Sequence, residues 1–405
     1  RSHCMQSRLF ILISLISLIS ITGLYAYAVT LDVTSVGEIE DDSDKLLDGV
    51  LGTAIYTVGS STYVVAASED EHGIEIIDIS DPTSPTSVGS LADASGCATD
   101  DIDKTCLAHV STVAATTIGS STYVVAAGHG VDDGIEIIDV DDPTSPTSVG
   151  SFSDTTRNSD GCTTGTVCLD RPNDIAIATI GDNTYAVVAA ANDDGIAIID
   201  ISDTANPTHV ISIVDDAARE LEQTYGVAIA TIGDSTYVVA IGNIDDGIAI
   251  IDISTPASPV YVGELEDGTN TETCSAANGE RCLNGPAGVA VETIGGLTYA
   301  IVVSEKDSAV TVIDITTPSD PTIVATVYDD AVKELGGAKA VSIATIGDSI
   351  YAVVSGSTDN GIEIIHLYTE STITITSSSG SSGDTVTSDT ISYTVTLGSA
   401  ANDFT

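Results

Sequence analysis

The sequence predicts an all-β protein, a six-bladed β-propeller of four-stranded antiparallel blades, and three observations carry that prediction. A strand-and-turn block recurs, its closing residue falling at Asp78, Asp139, Asp200, Asp252, Asp314 and His366; a recurring period of this length marks propeller blades or solenoid units. The steps are 61, 61, 52, 62 and 52 residues, room for four strands and their turns in each unit. The chain is 42% hydrophobic but only 4% aromatic and has no tryptophan. Burial therefore rests on Val, Ile and Ala, and the β-branched pair among them favours pleated sheet.

Each unit opens with a hairpin. A turn glycine is followed four residues later by a tyrosine, from Gly59 and Tyr63 in the first unit to Gly347 and Tyr351 in the sixth. Ala228 to Ile232 and Thr236 to Ala240 are β-rich runs on either side of such a turn, and they read as strands one and two. Gly73-Ile-Glu-Ile-Ile-Asp78 supplies strand three, an apolar run suited to burial on both faces. The following Asp81-Pro82-Thr-Ser-Pro85 cannot extend it, because proline lacks an N–H and fixes φ, while Asp81 caps a turn. Strand four follows as Ser87-Val-Gly-Ser90.

The sixth unit lacks that last segment. The stretch Leu31 to Asp41 matches Val260 to Asp267, the fourth strand of another unit. It is therefore expected to complete blade six and close the ring, removing an open sheet edge.

At these residues the chain resembles the LVIVD-repeat family of extracellular propellers, whose strand and Asp-Pro-x-x-Pro turn stand here as Ile74-Glu-Ile-Ile-Asp-Ile-Ser-Asp-Pro-Thr-Ser-Pro85. The resemblance covers residues 31 to about 368, with departures at His366 and at Val310-Thr-Val-Ile-Asp314. It implies a propeller at a surface and no particular reaction.

The ends read differently. Met5, Arg8, the apolar run Leu9 to Leu24 and the site Ala26-Tyr27-Ala28 form a secretory signal peptide, so residues 1–28 are a leader and 29–368 the propeller. Residues 369–405 turn to Ser, Thr and Gly: a linker, then Ser371 to Thr376 and Thr390 to Leu397, which look like the opening of a bacterial or archaeal Ig-like surface repeat. A full sandwich of that kind needs about 100 residues, so the segment is read as truncated.

Six cysteines follow the leader in three close pairs, Cys97 with Cys106, Cys162 with Cys168 and Cys274 with Cys282. Each pair sits in a polar loop without zinc-like spacing, so three local disulfides in an oxidising compartment are expected. A secreted or cell-surface location follows.

The formal charge of −49 repels nucleic acid and anionic membrane, and no membrane insertion of the mature chain is expected. The strand order puts the links from strand two to three, and from strand four to the next blade, on one face. That face collects Glu69, Asp70, Glu71, Asp132, Asp133, Asp193, Asp194, Asp245, Asp246, Glu305 and Asp359. Grouped carboxylates attract a hard cation such as Ca²⁺, held weakly in the absence of any EF-hand or nonapeptide match; the competing reading is that an acid before glycine is turn chemistry, repeated because the blade repeats. The links Asp215 to Tyr225 and Asp329 to Leu335, and Asp41 to Leu47, open with acids and continue with helix formers, which predicts short helices.

No catalytic residue and no cofactor are expected. His72, His109, His129, His209 and His366 are scattered, without ligand or triad spacing, and nucleophile and phosphate motifs are missing from the sequence. The reading is a non-catalytic module for an extracellular protein, glycan or surface-layer partner. The alternative is a secreted propeller hydrolase or lyase with its site at the channel mouth.

Overall fold

The computed structural model describes residues 38–41, 45–92, 107–129, 133–154, 162–163, 166–216, 219–267, 282–330, 333–347, 349–359 and 361–368, and the backbone strands at 373–377 and 393–397. The leader and the segment 31–37 lie outside the described residues. No helix among the described residues is long and apolar enough to cross a membrane.

Blade one comprises β1 (Val50–Val58), β2 (Ser61–Ser68), β3 (Gly73–Asp78) and β4 (Thr86–Ala92). Blade two comprises β5 (Val110–Ile118), β6 (Ser121–Gly128), β7 (Gly134–Asp139) and β8 (Thr147–Ser153). Blade three holds β9 (Pro172–Ile180), β10 (Asn183–Ala190), β11 (Gly195–Asp200) and β12 (Thr208–Val214). Blade four holds β13 (Thr224–Ile232), β14 (Ser235–Gly242), β15 (Gly247–Asp252) and β16 (Val260–Glu266). Blade five holds β17 (Pro286–Ile294), β18 (Leu297–Ser304), β19 (Ala309–Asp314) and β20 (Thr322–Tyr328). Blade six contains β21 (Ala338–Ile346), β22 (Ser349–Gly356) and β23 (Gly361–Leu367). Within each sheet the strands follow chain order and pair antiparallel, giving a six-bladed β-propeller.

Local chemistry explains the blade. The hairpin glycines Gly59, Gly119, Gly181, Gly233, Gly295 and Gly347 adopt φ of 62 to 67°, the left-handed region open to glycine without a Cβ clash. At the end of strand three the Asp78 carboxylate accepts the Ser80 N–H at 2.8 Å and the Ser80 hydroxyl accepts the Thr62 N–H at 3.0 Å. The same aspartate turn recurs at Asp139, Asp200, Asp252 and Asp314. His366 has no such carboxylate; its ring lies 4.9 Å from Tyr351 and 5.1 Å from Tyr368, and β23 runs one residue further than its counterparts.

The Val-Gly of strand four has a separate cause. A Cβ built on Gly89 would sit 2.3 Å from the Pro143 carbonyl oxygen, on Gly150 2.1 Å from that of Thr204, and on Gly263 2.0 Å from that of Pro318. At these three boundaries the turn of the following blade thus docks on the glycine of the blade before it, and a side chain added there would push the two blades apart; blades three and five carry Ile211 and Ala325 at the same register position.

Five apolar clusters fill the boundaries between successive blades. Ile76 and Ile138 pack between blades one and two, Ile198 and Ile251 between three and four, and Ile250 and Ile313 between four and five. Ile55 on blade one and Ile346 and Ile362 on blade six are exposed. Glu38 to Asp41, expected within a closing strand, carry no strand in the described chain. Blade six has three strands among the described residues, and a cavity of 610 Å³ opens beside β23, lined in part by Val324, Val327, Ile365 and Tyr368.

One further expectation needs correction. The links after Asp215 and Asp329 are not helical over their described residues. Arg219 instead donates its N–H to the Asp216 carbonyl and its guanidinium to the Val214 carbonyl, both at 2.9 Å. Leu221 and Leu335 are fully buried, and a tight turn lets each leucine drop into the core, overriding the helix-forming tendency of the residues before it. Beyond blade six, Ile373–Ser377 and Tyr393–Leu397 form a two-stranded antiparallel sheet, and the described residues there show no more of the expected Ig-like module.

Candidate functional site

The acid-rich face is organised by one bonding scheme repeated around the propeller. Each link between blades carries a leucine, then one residue, then a residue in the left-handed region before the next blade begins. His109, Arg171, Gln223, Gly285 and Gly337 hold that last position with φ of 48, 56, 52, 62 and 65°. The reversal turns two backbone N–H groups away from any ladder, and partly buried donors need acceptors.

The loop between strands two and three supplies them. Within its own blade, the acid two residues before strand three bonds the residue after the leucine: Glu71 accepts from Asp48 N–H at 3.0 Å, Asp193 from Asp170 at 2.8 Å, Asp245 from Glu222 at 2.7 Å, and Asp359 from Gly336 at 2.6 Å. The next residue reaches across the boundary to the left-handed position of the following blade. Asp133 accepts from Arg171 N–H at 3.3 Å, Asp194 from Gln223 at 2.8 Å, and Asp246 from Gly285 at 2.7 Å. Ser308 fills this place for Gly337 and His72 Nδ1 for His109, both at 3.1 Å. A third carboxylate, at the end of strand four, accepts the leucine N–H, as Asp215 does for Leu221 and Asp329 for Leu335 at 3.3 Å.

Of the remaining predicted acids, Glu69 pairs with His129 at 3.0 Å and Glu305 with Lys339 at 3.1 Å. Asp70 lies against Gly49, and Asp132 lies outside the described residues. Cys162 and Cys168 form a disulfide with Cα atoms 5.7 Å apart, a normal span for the bond. Cys282 is disulfide-bonded, while Cys97, Cys106 and Cys274 lie outside the described residues.

Negative charge concentrates at blades three and four. Burial, then the carboxylates of Asp245, Glu266, Glu264 and Asp215, push the Glu220 carboxyl up to about 7. Burial pushes Asp193 up to about 6, against the Asp170 N–H bond and with help from Asp170, Asp154 and Asp133. Asp215 also rises to about 6, from burial and then from Asp245 and Asp194. Asp174 reaches about 6 by burial alone, while its carboxylate accepts N–H bonds from Ile175 at 2.9 Å and Val227 at 3.0 Å. Such a rim favours cations on electrostatic grounds.

The structure also gathers residues that look scattered in sequence. His72, His109 and His129 meet at the boundary of blades one and two, with ring centres 4.6 and 5.2 Å apart along the series. No local spacing signals this. The clue is that each occupies a different landmark of the repeat, so that registering the blades brings them together. The leucines Leu107, Leu169, Leu221, Leu283 and Leu335, all buried, were legible by the same registration.

Several solved structures are similar in fold. A functionally unknown protein from Desulfotomaculum acetoxidans aligns with a TM-score of 0.46 at 12% identity, covering 75% of this chain and 78% of its own. A protein from Lactobacillus plantarum has the same score and identity over 78% and 83%. The periplasmic gluconolactonase of Pseudomonas aeruginosa reaches 0.45 at 10% over 78% and 73%. No curated protein matches the chain. The LVIVD repeat model matches residues 62–93, 123–154, 177–215 and 228–267, so blades one to four of this propeller carry LVIVD repeats.

Proposed function

We propose that the chain is a non-catalytic interaction module, secreted or displayed at a cell surface, whose acid-rich rim receives cations and an extracellular protein, glycan or surface-layer partner. The observation that carries this reading is the crowding of Glu220, Asp215, Asp245, Glu264 and Glu266 on one rim, where burial first and the neighbouring carboxylates second push Glu220 up to about 7. The other face is made of short turns that repeat almost unchanged, whereas this one carries the long and variable links, and binding residues concentrate on such loops. Calcium titration followed by the melting temperature tests it. A rise at millimolar calcium that is reduced in Glu220→Gln and Asp245→Asn is expected; an unchanged melting temperature refutes the cation part of the reading.

Ring closure by residues 31–40 belongs to the same proposal. Asp41 already accepts the Leu47 N–H at 3.3 Å, the bond that Asp215 and Asp329 make after a fourth strand. Gly37 stands in sequence where Gly89, Gly150 and Gly263 receive the next blade's turn. The exposed Ile55, Ile346 and Ile362 and the groove beside β23 are what such a closure would cover. Amide exchange in β23 should be slow in the chain and fast after deletion of residues 31–40. Equally fast exchange in both would count against closure.

A further inference from the structure

The geometry points to a binding site for a divalent transition metal, zinc in first place, at the boundary of blades one and two, with His109, His129 and Glu69 as ligands and His72 as a positioning residue. The His109 Nδ1 atom is buried and has no hydrogen-bond partner among the described residues, although a buried ring nitrogen normally finds one. The His129 ring lies nearly parallel to that of His109, at 9° and 5.2 Å, and its Nε2 is 3.0 Å from Glu69 Oε1. Two imidazoles on a tetrahedral zinc, each with Zn–N of about 2.0 to 2.1 Å, hold their ring centres about 5 Å apart. The ring-centre spacing is that of two imidazoles on one ion, but the three ligand atoms are not gathered at one point as they stand, and the His109 ring has to turn out of its stacked position for Nδ1 to join His129 Nε2 and Glu69 Oε1. Two imidazoles, a carboxylate and a water make a zinc ligand set.

His72 plays a different part. Its Nδ1 accepts the His109 N–H at 3.1 Å, so the neutral ring carries its proton on Nε2 and presents no lone pair. Its ring meets His109 edge-on at 4.6 Å and 85°, and so holds the orientation of the ligand ring without touching the ion.

The repeat supplies an internal control. The place of His72 is taken elsewhere by Asp133, Asp194, Asp246 and Ser308, and that of His109 by Arg171, Gln223, Gly285 and Gly337. The place of His129 is taken by Glu69, Ala191, Asn243, Glu305 and Ser357, each donating its N–H to the carbonyl of the left-handed residue. Blade packing thus needs no imidazole at any of the three positions, yet one boundary has all three. The competing set is Cys162, Cys168 and Asp193, whose ligand atoms lie within 4.8 Å of one another, but its sulfurs are joined in a disulfide.

Calorimetric titration of zinc into the metal-stripped, unreduced full chain, with calcium present in excess, tests the site. One equivalent should bind, and His109→Asn, which tolerates the left-handed backbone, and His129→Gln should each weaken binding about tenfold or more. His209→Gln should leave it unchanged. Cobalt should give the visible bands of a tetrahedral nitrogen-containing site, lost in the same two variants. If the melting temperature without metal shows that His109→Asn disturbs folding, the half-exposed His129→Gln decides alone. Absence of stoichiometric zinc, or binding as tight in His129→Gln as in the parent chain, overturns the assignment. Loss of the calcium response in Glu220→Gln with zinc binding intact would separate this site from the acidic rim.

Discussion

At the boundary of blades four and five, Asp246 is 2% exposed, accepts the Gly285 N–H at 2.7 Å, and has the Lys306 ammonium 3.9 Å away. At the boundary of blades one and two, on the same backbone, His72 accepts the His109 N–H at 3.1 Å and the His129–Glu69 pair stands alongside. Both boundaries meet the same requirement, an acceptor for an N–H that the left-handed residue turns out of the sheet. The first does so with a carboxylate and a glycine. The second uses side chains that exceed the requirement, and chemistry beyond folding is best sought where a repeat departs from its own minimal solution.

The comparison can be broken at several levels. The largest effects belong to the cores. Ile250→Ala between blades four and five and Ile76→Ala between one and two should each destabilise by about 3 to 4 kcal/mol in denaturant unfolding. Values differing by more than about 1 kcal/mol would show that the boundaries are not equivalent scaffolds. Next comes the acceptor itself: Asp246→Ala leaves the Gly285 N–H buried and unbonded and should lose about 1 to 3 kcal/mol.

The pH response sharpens the contrast with blades three and four. Asp193 and Asp215 near 6 and Glu220 near 7 lie above the ordinary carboxylate range. The folded state therefore binds more protons than the unfolded chain in that window, so stability falls as pH rises through it. The melting temperature should climb when pH is lowered from about 8 to about 5, and Glu220→Gln should flatten the climb. Asp78, Asp81 and Asp141 are shifted the other way by hydrogen bonds from Ser80, Thr83 and Ser121; their contribution is present above the ordinary carboxylate range and disappears only in stronger acid. The smallest effect is expected for His72→Asp, which installs the acceptor used at other boundaries. It should alter stability by less than about 1 kcal/mol, and a larger loss would mean that the imidazole itself supports the fold.

Much of this was legible in the sequence, for identifiable reasons. Blade number, strand limits and the aspartate turns follow from Gly59, Asp78 and Pro82 and their repeats, because φ > 0 and a missing N–H restrict the backbone locally. The acids before glycine were recognised as either a cation face or turn chemistry; the structure gives Asp193, Asp194, Asp245 and Asp246 bonds to backbone N–H groups. The links after Asp215 and Asp329 were misread as helical because helix propensity is local and the demand of Leu221 for the core is not. The histidine cluster escaped because His72, His109 and His129 come from separate strands' ends, and only three-dimensional registration of the blades brings them together.

The cross-boundary hydrogen bonds that end on the left-handed positions share a direction with a consequence for how the chain is made. In each, the acceptor precedes its donor, by 37 residues for His72 and His109, 38 for Asp133 and Arg171, 29 for Asp194 and Gln223, and 39 for Asp246 and Gly285. A blade leaving the ribosome meets a neighbour whose acceptor is already folded and waiting. Assembly can then proceed vectorially, through short sequence separations, as in other chains built from nearest-neighbour units.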